Sequence, residues 1–364
     1  LLEVETNGYD WLTWPAVTAV SRFTKCDHHR FWHFTTVSIG SLAFRHHGRV
    51  WRLAWESWTG PRAAGNTGAM PTVYRSSQGR TDVQRCRRVL ARADFPLTSR
   101  TLDTSAGRVE LTCAGAGRPR VVMVPGTGAN AAAALPWLRV LSRRWATTVI
   151  DLPGQPGLSD PRRPRRARLA WYGQVVDEVL AAIDADGVVL LGNSLGAAVA
   201  LAAGSPRIAA RALVSPAGFI RLSVDPALAL ASAAWLLRPT SEHTLRMLRL
   251  FVAPGTAPPE IDVEWMALVA ACCRTTLAPP PLPADLLARR AAVPCVVGVG
   301  EHDRFLPPRR LAPVVRRTMG LDVRVLAGLG HLTTPVHLDA VVSLVSQVAE
   351  HPAAERGNGG IDNL

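Results

Sequence analysis

Ser194 stands at the centre of Gly192-Asn193-Ser194-Leu195-Gly196, directly after the apolar run Val188-Val189-Leu190-Leu191 and before the helix-forming Ala197-Ala198-Val199-Ala200-Leu201. A serine hydroxyl is a weak nucleophile until a base can reach it and N–H donors can face the oxyanion its attack creates. A sharp strand-to-helix turn supplies both conditions by lifting the hydroxyl clear of a sheet. Glycines two positions before and after the serine suit such a turn, because side chains there would collide with the neighbouring strand and helix. The five-residue pattern alone recurs by chance; the strand before it and the helix after it give it a chemical reading.

A nucleophilic serine needs a base, and the base needs a group to orient it. The apolar run from Val293 to Val299 reads as a buried parallel strand that ends in Gly300-Glu301-His302-Asp303-Arg304-Phe305-Leu306-Pro307. Asp303 therefore falls in a loop at a strand's carboxyl end, where open α/β sheets place their chemistry. A second strand, Val323-Arg324-Val325-Leu326, runs into Gly328-Leu329-Gly330-His331, which puts His331 in another such loop. Ser194, Asp303 and His331 are far apart in sequence, yet each follows its own strand on one edge of the sheet. Glu301 competes with Asp303 for the orienting role. His302 reads as a solvated loop residue rather than the base, and His337 as a solvated residue at the start of the last helix.

These motifs, with Val124-Pro125-Gly126-Thr127-Gly128 and the stretch from Asp151 to Ser159 (DLPGQPGLS), resemble those of the α/β-hydrolase fold family, in the family's order, from about residue 100 to about 350. The resemblance implies Ser194 as nucleophile, His331 as base and then acid, and Asp303 as the residue holding the imidazole. It implies the backbone N–H groups of Leu195 and Thr127 as the oxyanion hole. Some relatives carry the acid after an earlier strand, which makes Asp225 a further competitor. Where the family commonly has His this chain has Pro125, but the Thr127 donor does not depend on that side chain. A serine on the turn argues against epoxide hydrolases and haloalkane dehalogenases, which use Asp there. The implied activity is hydrolysis of an ester-like bond in a small apolar substrate, without cofactor or metal. C–C bond hydrolysis, thioester hydrolysis and acyl transfer are alternatives on the same triad, and a non-catalytic ligand-binding or interaction protein is the alternative from another class.

The elements that would hold these residues follow from the hydrophobic pattern. Short strands are expected near 97–103 and 108–114, then an alternation: strand 120–124, helix 131–144, strand 146–150, helix 169–184, strand 187–191, helix 195–203 and strand 211–215. This is the pattern of an α/β protein with a mostly parallel, eight-stranded-type sheet flanked by helices. The alternation stops after the sixth strand. Residues 217–290 read as a helical insertion, apolar from Leu228 to Leu237 and from Trp265 to Cys273, which resembles the cap of the α/β-hydrolase family. That resemblance implies that the cap lines the substrate pocket. The core, 70–216, resumes over 291–350, with strands 293–299 and 322–326 and helices 308–318 and 335–349. Thr81 to Ala93 reads as one basic amphipathic helix.

Residues 1–69 hold six of the eleven tryptophans without sustained periodicity, and read as an irregular extension, with Met70 as the expected true start of the gene. Cys26, His28, His29 and His33 lack the second ligand pair of a structural zinc site. Residues 351–364 read as a disordered tail. The net charge is +13, and most of it lies in residues 70–168, where 18 arginines face 6 acids. The run Arg162-Arg163-Pro164-Arg165-Arg166-Ala167-Arg168 has no interleaved aromatics, so it reads as a solvated loop and not as a nucleic-acid site. The six cysteines, Cys26, Cys86, Cys113, Cys272, Cys273 and Cys295, show no regular spacing, which suits a reducing compartment. No apolar stretch reaches the ~20 residues that span a bilayer. A cytoplasmic enzyme with a small-molecule partner and no stable membrane insertion is the expectation.

Overall fold

The computed structural model describes residues 41–46, 49–54, 70–274 and 278–350. The chain divides into two units, 1–62 and 63–364. In the first, β1 (Ser41–His46) and β2 (Arg49–Ala54) form an antiparallel pair, with Ser41 opposite Ala54 and His46 opposite Arg49. The sequence pattern does not single out this hairpin. The rest of the expected N-terminal extension, including Cys26, His28, His29 and His33, lies outside the described residues, as does the expected tail 351–364.

The second unit is built on runs of β-branched and aliphatic residues too continuous for a sheet with one wet face. These give β5 (Val121–Val124), β6 (Thr147–Ile150), β7 (Val188–Asn193), β8 (Ile208–Val214) and β9 (Cys295–Gly300), while the less apolar β3 (Thr98–Thr104), β4 (Gly107–Ala114) and β10 (Val323–Leu326) lie toward the edges. They form one eight-stranded sheet in the order β10-β9-β8-β7-β5-β6-β4-β3. The pairs from β6 through β10 are parallel, and β3 and β4 close one edge antiparallel.

Alternate side chains enter two cores. Val122, Val124, Leu190, Leu213 and Val299 face one, with α4 (Arg168–Ala182), α5 (Leu195–Ala202) and α10 (Pro308–Met319). Val121, Met123, Val189, Leu191 and Val214 face the other, with α3 (Leu135–Leu141) and α11 (Leu338–Ala349). The expected α/β fold class, a mostly parallel sheet of eight strands flanked by helices, is the one observed.

Between β8 and β9 the chain makes α6 (Pro226–Leu237), α7 (Ser241–Leu248), α8 (Glu260–Cys272) and α9 (Ala284–Arg290). Asp225 and Thr240 accept N–H bonds as caps of α6 and α7, and prolines precede or open α6, α8 and α9. The helix expected over 81–93 is two short ones, α1 (Ser77–Val83) and α2 (Cys86–Ala91). Ser76 caps α1, which starts four residues ahead of the expected start. After Val83 the α-helical ladder tightens to bonds from Arg85 to Asp82 and from Arg87 to Gln84, which breaks the run. The basic loop also differs from expectation at one residue: Arg163 is buried and donates to the Gly154 carbonyl at 2.6 Å. Among the described residues no helix is long and apolar enough to cross a membrane.

Candidate active site

The turn after β7 forces Ser194 into φ 51°, ψ −113°, a conformation that L-residues rarely hold without surrounding support. That support is visible. The Ser194 N–H donates to the Val214 carbonyl at 3.0 Å, and the Ser194 carbonyl accepts from Ala197 and Ala217, each at 3.1 Å. A Cβ at Gly196 would fall 1.9 Å from the Val124 carbonyl oxygen, and one at Gly192 2.4 Å from Ala197 Cα, so both positions demand glycine. Ser194 sits where α5 would take an N-cap, but its side chain makes no capping bond. Its Oγ lies instead 3.1 Å from His331 Nε2.

The other face of the imidazole is held as closely. His331 Nδ1 is 2.9 Å from Asp303 Oδ2. Asp303 is 2 % exposed, and its second oxygen accepts from the Phe305 and Leu306 N–H groups at 3.0 and 2.9 Å. Burial by itself would raise this carboxyl. The charge and hydrogen bond of His331, with the Leu306 N–H, outweigh it and hold Asp303 below the usual aspartate range. With Asp303 ionised, the bond to Nδ1 selects the tautomer that leaves Nε2 free to accept the serine proton. Phe305 lies 4.8 Å from the His331 ring, centroid to centroid, and Phe251, from the stretch after α7, lies 6.2 Å away at a steep angle.

The competing residues are engaged elsewhere. Asp225 caps α6 through the Leu228 N–H and receives both Nε and Nη2 of Arg304. Glu301 accepts from the Gly328 N–H at 3.0 Å, and His302 lies 3.7 Å from that carboxylate. His337 is half-buried, not solvated, because its Nδ1 pairs with the Thr334 hydroxyl at 2.9 Å in the turn before α11.

Gly126 places the loop after β5 against the serine: a Cβ there would come within 3.4 Å of Ser194 Cβ. Among the described residues no backbone acceptor outside α5 takes the Thr127 or Leu195 N–H. The loop is braced from below. Gln155 Oε1 accepts from the Gly128 N–H at 3.1 Å, and Asp151 accepts from Ala131 and Leu158 at 2.7 and 3.1 Å. Burial pushes the Asp151 carboxyl up to about 6, against the pull of those two N–H groups and with Glu110 adding to the rise. From above, Trp265 Nε1 donates to the Gly128 carbonyl at 2.7 Å, and Met266 and Val269 of α8 stand within 4 Å of where a Gly128 side chain would begin.

The DLPGQPGLS stretch marks Asp151 and Gln155 in the sequence, but their bracing role needs the fold to be seen. Phe305 had a signal in its position two residues after Asp303. Trp265 falls in the apolar stretch that the sequence marks as cap, but its bond to the Gly128 carbonyl needs the fold to be seen; Phe251 had no signal, because it reaches the site only through the packing of the inserted helices. Among the described residues no cluster of His, Cys, Asp or Glu could hold a metal ion.

The model of the alpha/beta hydrolase family matches residues 121–344. No curated protein matches the chain. Among solved structures, carboxylesterase CesB of Bacillus subtilis is 15 % identical with a TM-score of 0.59, over 74 % of this chain and 97 % of that one. Naproxen esterase of Bacillus subtilis is 16 % identical with a TM-score of 0.60, over 77 % and 99 %. The 2-hydroxy-6-oxo-6-phenylhexa-2,4-dienoate hydrolase of Rhodococcus sp. strain RHA1 is 19 % identical with a TM-score of 0.53, over 70 % and 99 %. At these identities the likeness is one of fold, and the family rests on the match that spans the sheet from β5 to α11: the chain belongs to the alpha/beta hydrolase family.

Proposed function

We propose that this protein is a serine hydrolase that cleaves an ester-like bond in a small, largely apolar substrate through an acyl-enzyme. The observation that carries the reading is the continuous chain from Ser194 Oγ through the imidazole of His331 to buried Asp303, with contacts of 3.1 and 2.9 Å. As Ser194 Oγ attacks the carbonyl carbon, its proton passes to His331 Nε2. The negative charge moves to the carbonyl oxygen, where the Leu195 and Thr127 N–H groups receive it. His331 then gives the proton to the leaving oxygen, and the acyl group stays on Ser194. Water repeats the sequence: His331 takes its proton, the hydroxide attacks the acyl carbon, and the serine leaves reprotonated. Asp303 keeps its charge throughout and stabilises the imidazolium.

The inserted helices support the substrate class. Trp265, Met266 and Val269 bring apolar surface to the loop that carries Thr127, and Phe251 brings it to His331. Each buried methylene of an acyl chain is worth about 0.8 kcal/mol, roughly fourfold in kcat/KM. A series of p-nitrophenyl esters tests this. Hexanoate is expected to exceed acetate by at least about tenfold in kcat/KM. Equal turnover of the two would exclude an enclosed apolar pocket, and no turnover of any member would exclude the esterase reading.

A further inference from the structure

His331 is carried by a short loop with glycines at 328 and 330, yet proton transfer needs its imidazole held closely. The strand before the loop, β10, has four residues and lies at the edge of the sheet. Ahead of the histidine the core holds the backbone. The Leu329 carbonyl accepts from the His302 N–H at 2.9 Å, and the Gly328 N–H donates to Glu301 Oε2 at 3.0 Å. Beyond the histidine the support comes from the inserted helices. The Leu332 N–H donates at 2.8 Å to the carbonyl of Phe251, which follows α7.

Gly330 shows how close this approach is. A Cβ there would fall 2.3 Å from the Phe251 carbonyl oxygen and 2.7 Å from Val252 Cα. On the opposite side, a Cβ at Gly300 would fall 2.2 Å from the Gly330 carbonyl oxygen. The histidine loop is therefore wedged, backbone against backbone, between the end of β9 and the insertion. Phe251 is itself anchored. Its N–H donates to the Leu248 carbonyl at 2.9 Å, and Met247 and Leu248 are buried in one cluster with Val263 of α8.

The side chains continue the wedge. The Phe251 ring stands edge-on to Phe305, with centroids 4.6 Å apart and planes at 83°, and Phe305 lies 4.8 Å from the imidazole. Edge-to-face pairs at such separations have a preferred geometry, so a ring held in place orients the next. Phe305 also donates its N–H to Asp303 at 3.0 Å. One residue of the insertion thus meets the loop that carries the base and the ring that packs on it.

We infer that Phe251 is a positioning residue for His331, so that the inserted helices place the base as well as wall the substrate. This rests on the serine-hydrolase reading and adds to it: loss of the ring is felt at the imidazole and not only along the acyl chain. Misplacing a reacting group by about 1 Å costs on the order of 10²-fold in rate.

A substrate wall and a support for the base move different kinetic constants. Turnover of p-nitrophenyl acetate and hexanoate is measured on the full chain and on its Phe251→Ala, Phe251→Leu and Phe251→Tyr variants. Rates are expressed per site that takes a fluorophosphonate on long incubation, which leaves unfolded chain out of the count. Phe251→Ala is expected to lower kcat about 30-fold with both esters, while KM for acetate stays within about threefold. Phe251→Tyr, which keeps the ring, should recover most of that loss. Phe251→Leu keeps apolar volume without the ring and should lose at least about fivefold in kcat; it decides the case if Phe251→Ala does not fold. An unchanged kcat for acetate, with only hexanoate affected and through KM, would make Phe251 a wall alone and overturn the positioning role. A Phe251→Leu protein with the kcat of the unmodified chain would overturn it as well, as would a Phe251→Tyr protein as slow as Phe251→Ala. Absence of turnover and of labelling in the unmodified chain would instead remove the serine-hydrolase reading itself.

Discussion

Three carboxylates lie within reach of the histidine loop in sequence, and their surroundings separate them. Asp303 is buried, receives two backbone N–H bonds and faces Nδ1 of His331, whereas Asp225 serves a helix start and an arginine, and Glu301 serves a turn. Asp303→Asn is therefore expected to lower kcat by ~10⁴ by presenting the wrong imidazole tautomer. Asp225→Asn and Glu301→Gln should stay within about threefold of the unmodified chain, because neither touches the reacting groups. Ester turnover by the three variants checks this, and a large loss in either of the latter two would move the orienting role to another loop. Asp151 gives a prediction of opposite electrostatic sign. Its folded carboxyl sits at about 6, above the ~3.9 of an unfolded aspartate. Between those values the folded protein keeps a proton that the unfolded chain has released, so this group's contribution to stability falls as pH rises from 4 to 6 and is flat above. Unfolding measured against Asp151→Asn should show the unmodified chain losing about 2–3 kcal/mol of relative stability from pH 4 to 7. A relative gain over that range would contradict the burial argument.

At the scale of elements, β7, the serine turn and α5 work as one unit, wedged beneath β5. Gly196→Ala drives a methyl into the Val124 carbonyl, which belongs to the backbone and cannot step aside. The expected cost is roughly 3 kcal/mol or more, with loss of activity out of proportion to the loss of stability, since the serine and the Thr127 loop move apart. Thermal unfolding with parallel turnover measures both. A fully active, equally stable Gly196→Ala protein would mean that the close approach is not needed. The far end of α5 explains a limit of the sequence reading. The hydrophobic pattern starts this strand at Arg211, yet β8 begins at Ile208 and runs through it. Arg211 donates to the carbonyls of Ala200 and Ala203, and Arg290 to those of Leu201 and Ala202, so two guanidiniums satisfy the helix end. Such a partnership spans many residues and leaves no local pattern. The strands and the elbow were legible because glycine spacing and aliphatic runs are local properties. The joint between α1 and α2, and helices α7 and α9, were not, because tertiary packing against the sheet and the other inserted helices decides them.

For the molecule as a whole, the eight-stranded sheet, its flanking helices and the loops that carry Ser194, Asp303 and His331 all lie within the unit 63–364. A truncated chain beginning at Met70 should therefore unfold in one cooperative transition, within a few degrees of the full chain, and turn over esters at the same rate. A drop of many degrees would make the preceding residues part of the folded unit. The parallel character of the sheet and the meeting of three distant residues were both legible from strand-end placement, since each side chain follows its own strand on one edge. The apolar wall beside the site was not, because Phe251, Trp265 and Met266 meet it only when the inserted helices fold against the Gly128 turn and His331. The central claim is that Ser194 is the nucleophile, and covalent labelling tests it most directly. Incubation with a fluorophosphonate, followed by peptide mass spectrometry, should place one adduct on the peptide containing Gly192 to Gly196, and Ser194→Ala should abolish it. An adduct on another residue, an adduct that survives Ser194→Ala, or a folded protein that takes no label would contradict the account.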